Sequence, residues 1–129
     1  MDISGDWYSR LGSRMHLETD PSGGVSGTYV SGTGHAVGPY PLVGRWDPLS
    51  SASQGTVLGW TVTWRNDRGD ANSVTSWSGQ YYDDRGADGE RICASWLLTT
   101  SAESVDAWRS TTVGQDVFTR DADRAHASG

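Results

Sequence analysis

The chain has little positive charge and no long hydrophobic run. Ten basic residues stand against sixteen acidic ones, which gives a formal net charge of −6. Nucleic-acid binding needs a basic surface for the phosphates, and binding to an anionic membrane needs clustered cations. No apolar segment approaches the roughly 20 residues that a membrane-spanning helix requires. The sequence therefore argues against a nucleic-acid partner and against a membrane.

Cysteine is also scarce, and it says little about the compartment. Cys93 is the only cysteine, which excludes a disulfide within the chain. Such a thiol is usually a small buried hydrophobic group, and an intermolecular disulfide across a symmetry axis is the less favoured alternative. The first four residues lack the charged and apolar regions of a signal peptide. They fit either a cytosolic protein or a mature secreted form.

Aromatic residues and glycine are what the sequence has in abundance. Seven Trp and five Tyr accompany a single Phe, and there are 17 Gly among 129 residues. Trp and Tyr combine a large apolar face with a polar group, which suits them to cores and to wet pockets. A chain of this length forms one domain with one compact core.

Period-2 alternation recurs along the chain, whereas no long segment has helical periodicity. It predicts eight strands, at residues 6–13, 15–19, 25–31, 40–46, 57–66, 73–82, 90–99 and 115–120. Turn-forming clusters separate them, and the regular spacing favours an antiparallel sandwich or an up-and-down barrel. Residues 121–129 are polar and lack aromatics, which predicts a flexible C-terminal tail.

The alternation also assigns the faces of the strands. The residues predicted to share an inner face are Trp7, Ser9, Leu11 and Ser13; Leu58, Trp60, Val62 and Trp64; Ser73, Thr75 and Trp77; and Ile92, Ala94, Trp96 and Leu98. Trp7 and Trp60 are expected at the floor of the core. A barrel lined in this way has a packed floor and a polar, aromatic-walled opening. Leu97, Cys93, Val113 and Val117 are predicted on the outside, where apolar residues suggest contact with another subunit.

Short blocks with a characteristic order and spacing run through most of the chain. They are Gly5-Asp6-Trp7-Tyr8, Leu11-Gly12-Ser13, Gly27-Thr28-Tyr29 with Ser31, Gly59-Trp60-Thr61-Val62-Thr63-Trp64, Trp77-Ser78-Gly79-Gln80-Tyr81, Trp96-Leu97-Leu98-Thr99, Trp108, and Val113-Gly114-Gln115-Asp116. Together these blocks resemble the avidin/streptavidin family, above all its bacterial, streptavidin-like branch. The resemblance implies an all-β fold, an eight-stranded antiparallel up-and-down β-barrel over residues 1–120. It also implies a secreted protein that binds and sequesters biotin with high affinity, without chemistry and without a cofactor.

The resemblance further implies roles for individual residues. Ser13 and Tyr29 would donate to the ureido oxygen of biotin, Ser31 and Asp116 would accept from its two N–H groups, and Thr75 would lie against the ring sulfur. Trp64, Trp77, Trp96 and Leu98 would form an apolar box, while Ser73 and the backbone N–H of His35 would hold the carboxylate. Leu11 and Thr33 belong to the same implied set of ligand-binding residues. Trp108 would close the pocket of a neighbouring subunit, which implies a homotetramer, with a dimer as the alternative.

Some positions depart from the streptavidin-like pattern. Ser9 stands where that branch has an Asn that gives a third donor to the ureido oxygen. Thr33 replaces a Val in the ligand-covering loop, and His35 replaces an Asn. These changes bear on the affinity more than on binding itself.

Other functions find little support in the sequence. The three histidines and Cys93 lack metal-ligand spacing, and no nucleophile motif such as Gly-x-Ser-x-Gly occurs. Neither a metal site nor an enzyme is therefore expected. Arg68-Gly69-Asp70 resembles an integrin-recognition tripeptide, and we interpret it as a turn. Two alternatives remain open: the same barrel binding a different cyclic urea, amide or peptide with weak biotin affinity, and a lipocalin-like carrier or small β-barrel enzyme.

Overall fold

A computed structural model of the chain describes residues 3–32, 38–50, 54–65, 72–86 and 89–122. Its eight strands are β1 (Gly5–Ser9), β2 (Arg14–Thr19), β3 (Gly24–Val30), β4 (Pro39–Trp46), β5 (Thr56–Trp64), β6 (Ser73–Tyr82), β7 (Arg91–Thr100) and β8 (Thr111–Thr119). Each strand pairs antiparallel with the next, and β8 pairs with β1 to close a barrel. A short 3₁₀ helix, Ser104–Arg109, precedes β8. The predicted up-and-down barrel is confirmed.

The first strand is shorter than the sequence predicts, because the chain turns directly after Ser9. The N–H of Ser9 donates to the carbonyl of Ser13 at 3.0 Å, and the N–H of Gly12 donates to the carbonyl of Ser9 at 3.2 Å. Gly12 has a φ of +84°, which glycine adopts without strain. Leu11 lies in this turn with 54% of its surface exposed. The prediction that Leu11 faces the barrel interior on β1 is therefore wrong.

The last strand, in contrast, begins earlier than predicted. β8 starts at Thr111 rather than at Gln115, since Thr111 pairs with Thr99 and Val113 pairs with Leu97. The hydroxyls of Thr99 and Thr111 also hydrogen-bond to each other at 2.8 Å. These pairings extend the β7–β8 ladder toward the end of the barrel where β7 ends.

The interior follows from the alternation of the strands. On β5, Leu58, Trp60 and Val62 are buried, and the intervening residues point outward. The core comprises Ile3, Trp7, Met15, Leu17, Val25, Tyr29, Leu42, Leu58, Trp60, Val62, Trp77, Tyr81, Ile92, Ala94 and Phe118. Complete burial of one Leu, Ile, Val, Met or Phe side chain of this core stabilises the fold by about 1.5–3 kcal/mol relative to leaving it exposed. Trp7 and Trp60 both lie in this core, as predicted, and Trp7 lies at the end of the barrel that is closed by Ile3 and Arg120.

One end of the barrel is closed by Trp7 and its neighbours. Its indole Nε1 donates to the carbonyl of Ile3 at 2.9 Å, and the guanidinium of Arg120 lies over its ring. Arg120 also pairs with Glu90 at 3.5 Å, and the hydroxyl of Tyr81 donates a hydrogen bond to Glu90 at 2.8 Å. We call this end the floor. The opposite end is the mouth, where odd-numbered strands end and even-numbered strands begin.

The outer surface carries several apolar side chains. Leu97 and Val113, which pair across β7 and β8, are both exposed, while Cys93 and Val117 are half-buried. These positions agree with the predicted outward orientation. None of the helices that the structure describes is long and apolar enough to cross a membrane.

Candidate functional site

The polar residues singled out in the sequence gather at the mouth. Because neighbouring strands run in opposite directions, the ends of β1 and β3 meet the start of β8 at the same end of the barrel. Ser9 ends β1, Tyr29 lies near the end of β3, and Asp116 lies on β8. Ser13 follows in the turn before β2. The closure of the barrel thus brings together residues that are distant in sequence.

Two serine hydroxyls organise this polar cluster. The hydroxyl of Ser9 accepts the backbone N–H of Ser13 at 3.1 Å and hydrogen-bonds to the carboxylate of Asp116. The hydroxyl of Ser13 accepts the backbone N–H of Gly32 at 3.1 Å and hydrogen-bonds to the phenol of Tyr29. Ser9 and Asp116 are only 2% and 5% exposed, respectively. The four side chains therefore form a preorganised group that is largely shielded from water.

Asp116 is the charged member of the cluster. Burial raises the pKa of its carboxyl, and the N–H of Val117, the hydroxyl of Ser9 and the charge of Arg10 oppose that rise. The Val117 N–H donates to one carboxylate oxygen at 2.9 Å. A buried carboxylate with so few donors around it can accept a strong, charge-assisted hydrogen bond from a ligand N–H group.

Tyr29 is the neutral counterpart of Asp116. Burial raises the pKa of its phenol strongly, and the negative charge of Asp116 adds to the effect, whereas Ser13 opposes it. The phenol therefore keeps its proton at neutral pH and remains a donor. Donors at Tyr29 and Ser13 and an acceptor at Asp116 match the oxygen and the N–H groups of a cyclic urea.

Aromatic rings pack against this polar cluster. The Tyr29 ring lies 4.8 Å from Trp77 and 5.6 Å from Trp64, measured between centroids. The Trp64 indole Nε1 donates to the hydroxyl of Thr75 at 2.8 Å, which fixes the orientation of the ring. The predicted wall residues Trp64, Thr75 and Trp77 thus lie beside Tyr29 in one contiguous surface.

A row of tryptophans crosses the inner wall. Trp60 on β5 pairs with Trp77 on β6, and Trp77 pairs with Trp96 on β7. The rings of Trp60 and Trp77 stack with an interplanar angle of 12° and a centroid distance of 5.4 Å. Trp96 in turn pairs with Gly114 on β8, where the row ends.

The remaining predicted residues have different positions. Leu98 pairs with Thr75, Ser73 pairs with Trp64, and Ser31 follows β3; all three are half-buried. Thr33 and His35 lie outside the described residues, as does Arg68-Gly69-Asp70. Trp108 is 83% exposed in the 3₁₀ helix, so it is not packed into the interior of its own barrel.

Sequence reasoning missed two residues of the wall. Tyr40, at the start of β4, lies edge-on to Trp64 at 5.0 Å, and its hydroxyl donates to the carbonyl of Arg65. The alternation of Tyr40 with buried Leu42 was a signal for its inward orientation. Gly114 has no side chain, so the alternation of apolar and polar residues does not assign it to a face. Its place beside Trp96 follows only from the register of β7 and β8.

The mouth presents hydrogen-bonding groups beside aromatic side chains. Among the described residues, no cluster of three or more His, Cys, Asp or Glu side chains could hold a metal ion. The hydroxyls of Ser9 and Ser13 contact a carboxylate and a phenol. The cluster thus offers hydrogen bonds of fixed geometry next to rigid aromatic faces.

Comparisons with the sequences of known proteins identify the family of this chain. The sequence profile described as the avidin family matches residues 1–121. The chain is 32% identical to avidin from Gallus gallus over 123 residues, covering 92% of this chain and 77% of avidin. It is 36% identical to afifavidin from Afifella pfennigii over 121 residues, covering 91% of this chain and 68% of afifavidin. The resemblance found in the sequence is confirmed, and the chain belongs to the avidin family, whose members are binding proteins and not enzymes.

Proposed function

We propose that this protein binds and sequesters biotin with high affinity in the mouth of its barrel. The observation that carries the proposal is the buried cluster of Ser9, Ser13, Tyr29 and Asp116. Its donors complement the oxygen of a cyclic urea, and its acceptor complements an N–H group of the same ring. Because the cluster is already ordered by its own hydrogen bonds, little conformational entropy is lost when a ligand binds.

The ureido group would occupy the cluster itself. Tyr29 and Ser13 donate to the ureido oxygen, while Asp116 and Ser31 accept from the two N–H groups. The proposal has support from the burial of Tyr29 and Ser13, which shields their hydroxyls from water. Since the Asp116 carboxylate is buried, its bond to a ligand N–H is stronger than a bond between neutral groups.

The apolar part of biotin would lie against the aromatic wall. Trp64, Trp77, Trp96 and Leu98 form the box, and Thr75 lies against the ring sulfur. The hydrogen bond from Trp64 to Thr75 supports a rigid wall at this position. Ser73 and the backbone N–H of His35 would hold the carboxylate, and Leu11 and Thr33 complete the proposed set of ligand-binding residues.

We further infer that the protein is secreted and assembles as a homotetramer. Trp108 is exposed at the mouth end, where a monomer gains little from a large aromatic side chain beyond the contact of Arg109 with its ring. In the assembly Trp108 would cover the ligand of a neighbouring subunit. The exposed pair of Leu97 and Val113 on the outer wall offers an apolar contact for a second copy.

A different ligand is the second candidate function, and Ser9 favours it. Its hydroxyl is already engaged by the N–H of Ser13 and by Asp116. The ureido oxygen of biotin would therefore have two donors rather than three. A cyclic amide or a peptide that needs fewer donors at this position would suit the same barrel.

Titration of biotin into the protein, followed by tryptophan fluorescence and by calorimetry, tests the proposal. We expect saturation at one biotin per chain and a change in emission, since three tryptophans line the site. A cyclic urea without the second ring and a short peptide serve as competitors. No heat and no change in emission with biotin at millimolar concentration would refute the function.

A further inference from the structure

The end of the tryptophan row lies close to the backbone of β8. A Cβ atom at Gly114 would lie 2.6 Å from Cε2 and 2.8 Å from Cη2 of Trp96, and closer still to Cζ2. Cross-strand pairs point to the same face of a sheet, so both residues lie on the inner wall. The six-membered ring of Trp96 therefore occupies the space that a side chain at position 114 would take.

Backbone conformation does not explain the glycine. The glycines with positive φ in the described part of the chain are Gly5, Gly12, Gly23, Gly27, Gly38 and Gly86, so the dihedrals at position 114 admit alanine. Glycine within a strand weakens it and often marks a close approach of another group. Here the close approach is made by Trp96.

We infer that Gly114 is a positioning residue that sets the width of the mouth, because its missing side chain lets the Trp96 indole lie back against β8. The inference rests on the proposed function, since it takes Trp96 as a wall of the biotin site. A Cβ at this position would push the indole away from β8 and toward the centre of the mouth. The space left for a bicyclic ligand would then shrink.

Substitution of Gly114 by alanine tests the inference. We expect Gly114→Ala to weaken biotin binding at least about tenfold, equivalent to about 1.4 kcal/mol. The loss is expected to be smaller for desthiobiotin, whose single ring needs less width. A general loss of stability would weaken both ligands alike, so this difference separates a change of width from a structural defect.

A smaller ring at position 96 provides the matched control. In Gly114→Ala/Trp96→Phe the phenyl ring leaves room for the methyl group. The biotin affinity of the double variant is therefore expected to equal that of Trp96→Phe alone, so that Gly114→Ala has no effect in this background. If Gly114→Ala does not fold, folding of the double variant supports the inference equally. Failure of both to fold, or the same loss in both backgrounds, would overturn it.

Failure of the proposed function would look different. If the unmodified protein does not bind biotin, near-UV circular dichroism still reports on the indoles. Gly114→Ala is then expected to change the tryptophan bands, and the change is expected to be absent in the Trp96→Phe background. Biotin binding by the unmodified protein together with unchanged binding and spectra in Gly114→Ala would refute the role of Gly114 alone.

Discussion

The guanidinium carbon of Arg120 lies 3.8 Å from the centroid of the Trp7 ring at the floor of the barrel. Arg120 also donates to the carbonyl of Ser4 at 2.6 Å and pairs with Glu90. The contact joins the end of the last strand to the first strand, where β1 and β8 pair through only two residue pairs. The side chain of Arg120 therefore reinforces the seam at which the barrel closes.

Replacing Arg120 with Met tests this reinforcement. The variant keeps an apolar chain over Trp7 but loses the cation–π contact, the hydrogen bond to Ser4 and the ion pair with Glu90. We expect a loss of about 2 kcal/mol in the free energy of unfolding, measured with urea. Arg85→Met, a change at an exposed arginine in the β6–β7 connection, serves as control and is expected to cost less than about 0.5 kcal/mol. Equal effects of the two changes would contradict the role of Arg120.

Asp116 gives a prediction about pH. Burial raises the pKa of Asp116, so ionising its carboxyl is harder in the folded protein than in the unfolded chain. Ionisation of Asp116 therefore lowers the free energy of unfolding. Below the usual carboxyl pKa of 3.8 both states are protonated, and the cost builds up as the pH rises through the raised value. We therefore expect Asp116→Asn to melt at a higher temperature than the parent protein at pH 7. The two melting temperatures are expected to converge below pH 3.8.

Biotin binding by the same variant is expected to move in the opposite direction. The N–H of Val117 needs an acceptor, so the amide oxygen would face Val117 and the amide nitrogen would replace the other carboxylate oxygen. One ligand N–H would then meet a donor. We expect a loss of about 10- to 150-fold in affinity by calorimetry at pH 7. Unchanged affinity would place Asp116 outside the binding site.

The fold could be predicted from the sequence because alternation and turn residues act locally. The faces of β5 and β6 follow from the pattern Leu58, Trp60, Val62 and from Thr75, Trp77, and the structure agrees. The same pattern failed at Leu11, because the turn after Ser9 depends on the hydrogen bond to Ser13, which alternation does not encode.

The site was less accessible to sequence reasoning, because its contacts depend on the closure of the barrel and on the register of neighbouring strands. The hydrogen bond between Ser9 and Asp116 links β1 to β8, and the place of Trp96 against Gly114 depends on the β7–β8 register. Neither follows from spacing along the chain. The family resemblance supplied the residue types, whereas the closed barrel shows which of them share hydrogen bonds.

Trp108 gives a prediction about assembly. If it covers the ligand of a neighbouring subunit, Trp108→Ala is expected to accelerate biotin dissociation at least tenfold, a change of about 1.4 kcal/mol. Val105→Ala, a change at an exposed residue of the same 3₁₀ helix, is the matched control and is expected to have little effect. Light scattering is expected to give a tetramer for the parent protein. A monomer in the presence of biotin would refute the covering role.

The last prediction concerns Ser9, which stabilises the turn and Asp116 and also lies in the proposed binding site. Ser9→Ala removes the acceptor for the Ser13 N–H and the donor to Asp116, both in a buried setting. A buried group left without its partner costs about 1–3 kcal/mol, so we expect Ser9→Ala to lower the free energy of unfolding by that amount. Biotin binding is expected to weaken as well, because Asp116 loses a hydrogen bond that orients its carboxylate.

Ser9→Asn keeps an acceptor and a donor at the same position and reaches further into the mouth. We expect the variant to fold, because an acceptor for the Ser13 N–H and a donor to Asp116 remain, while its amide adds a third donor to the ureido oxygen. The gain in biotin binding is expected to be about 0.5–1.5 kcal/mol, the net value of one neutral hydrogen bond, and to come from slower dissociation. Stopped-flow displacement of labelled biotin measures it. The contrary result would be an Asn variant that is stable but binds biotin more weakly. Ser9 would then belong to a mouth shaped for a ligand that needs fewer donors at this position, which is the second candidate function.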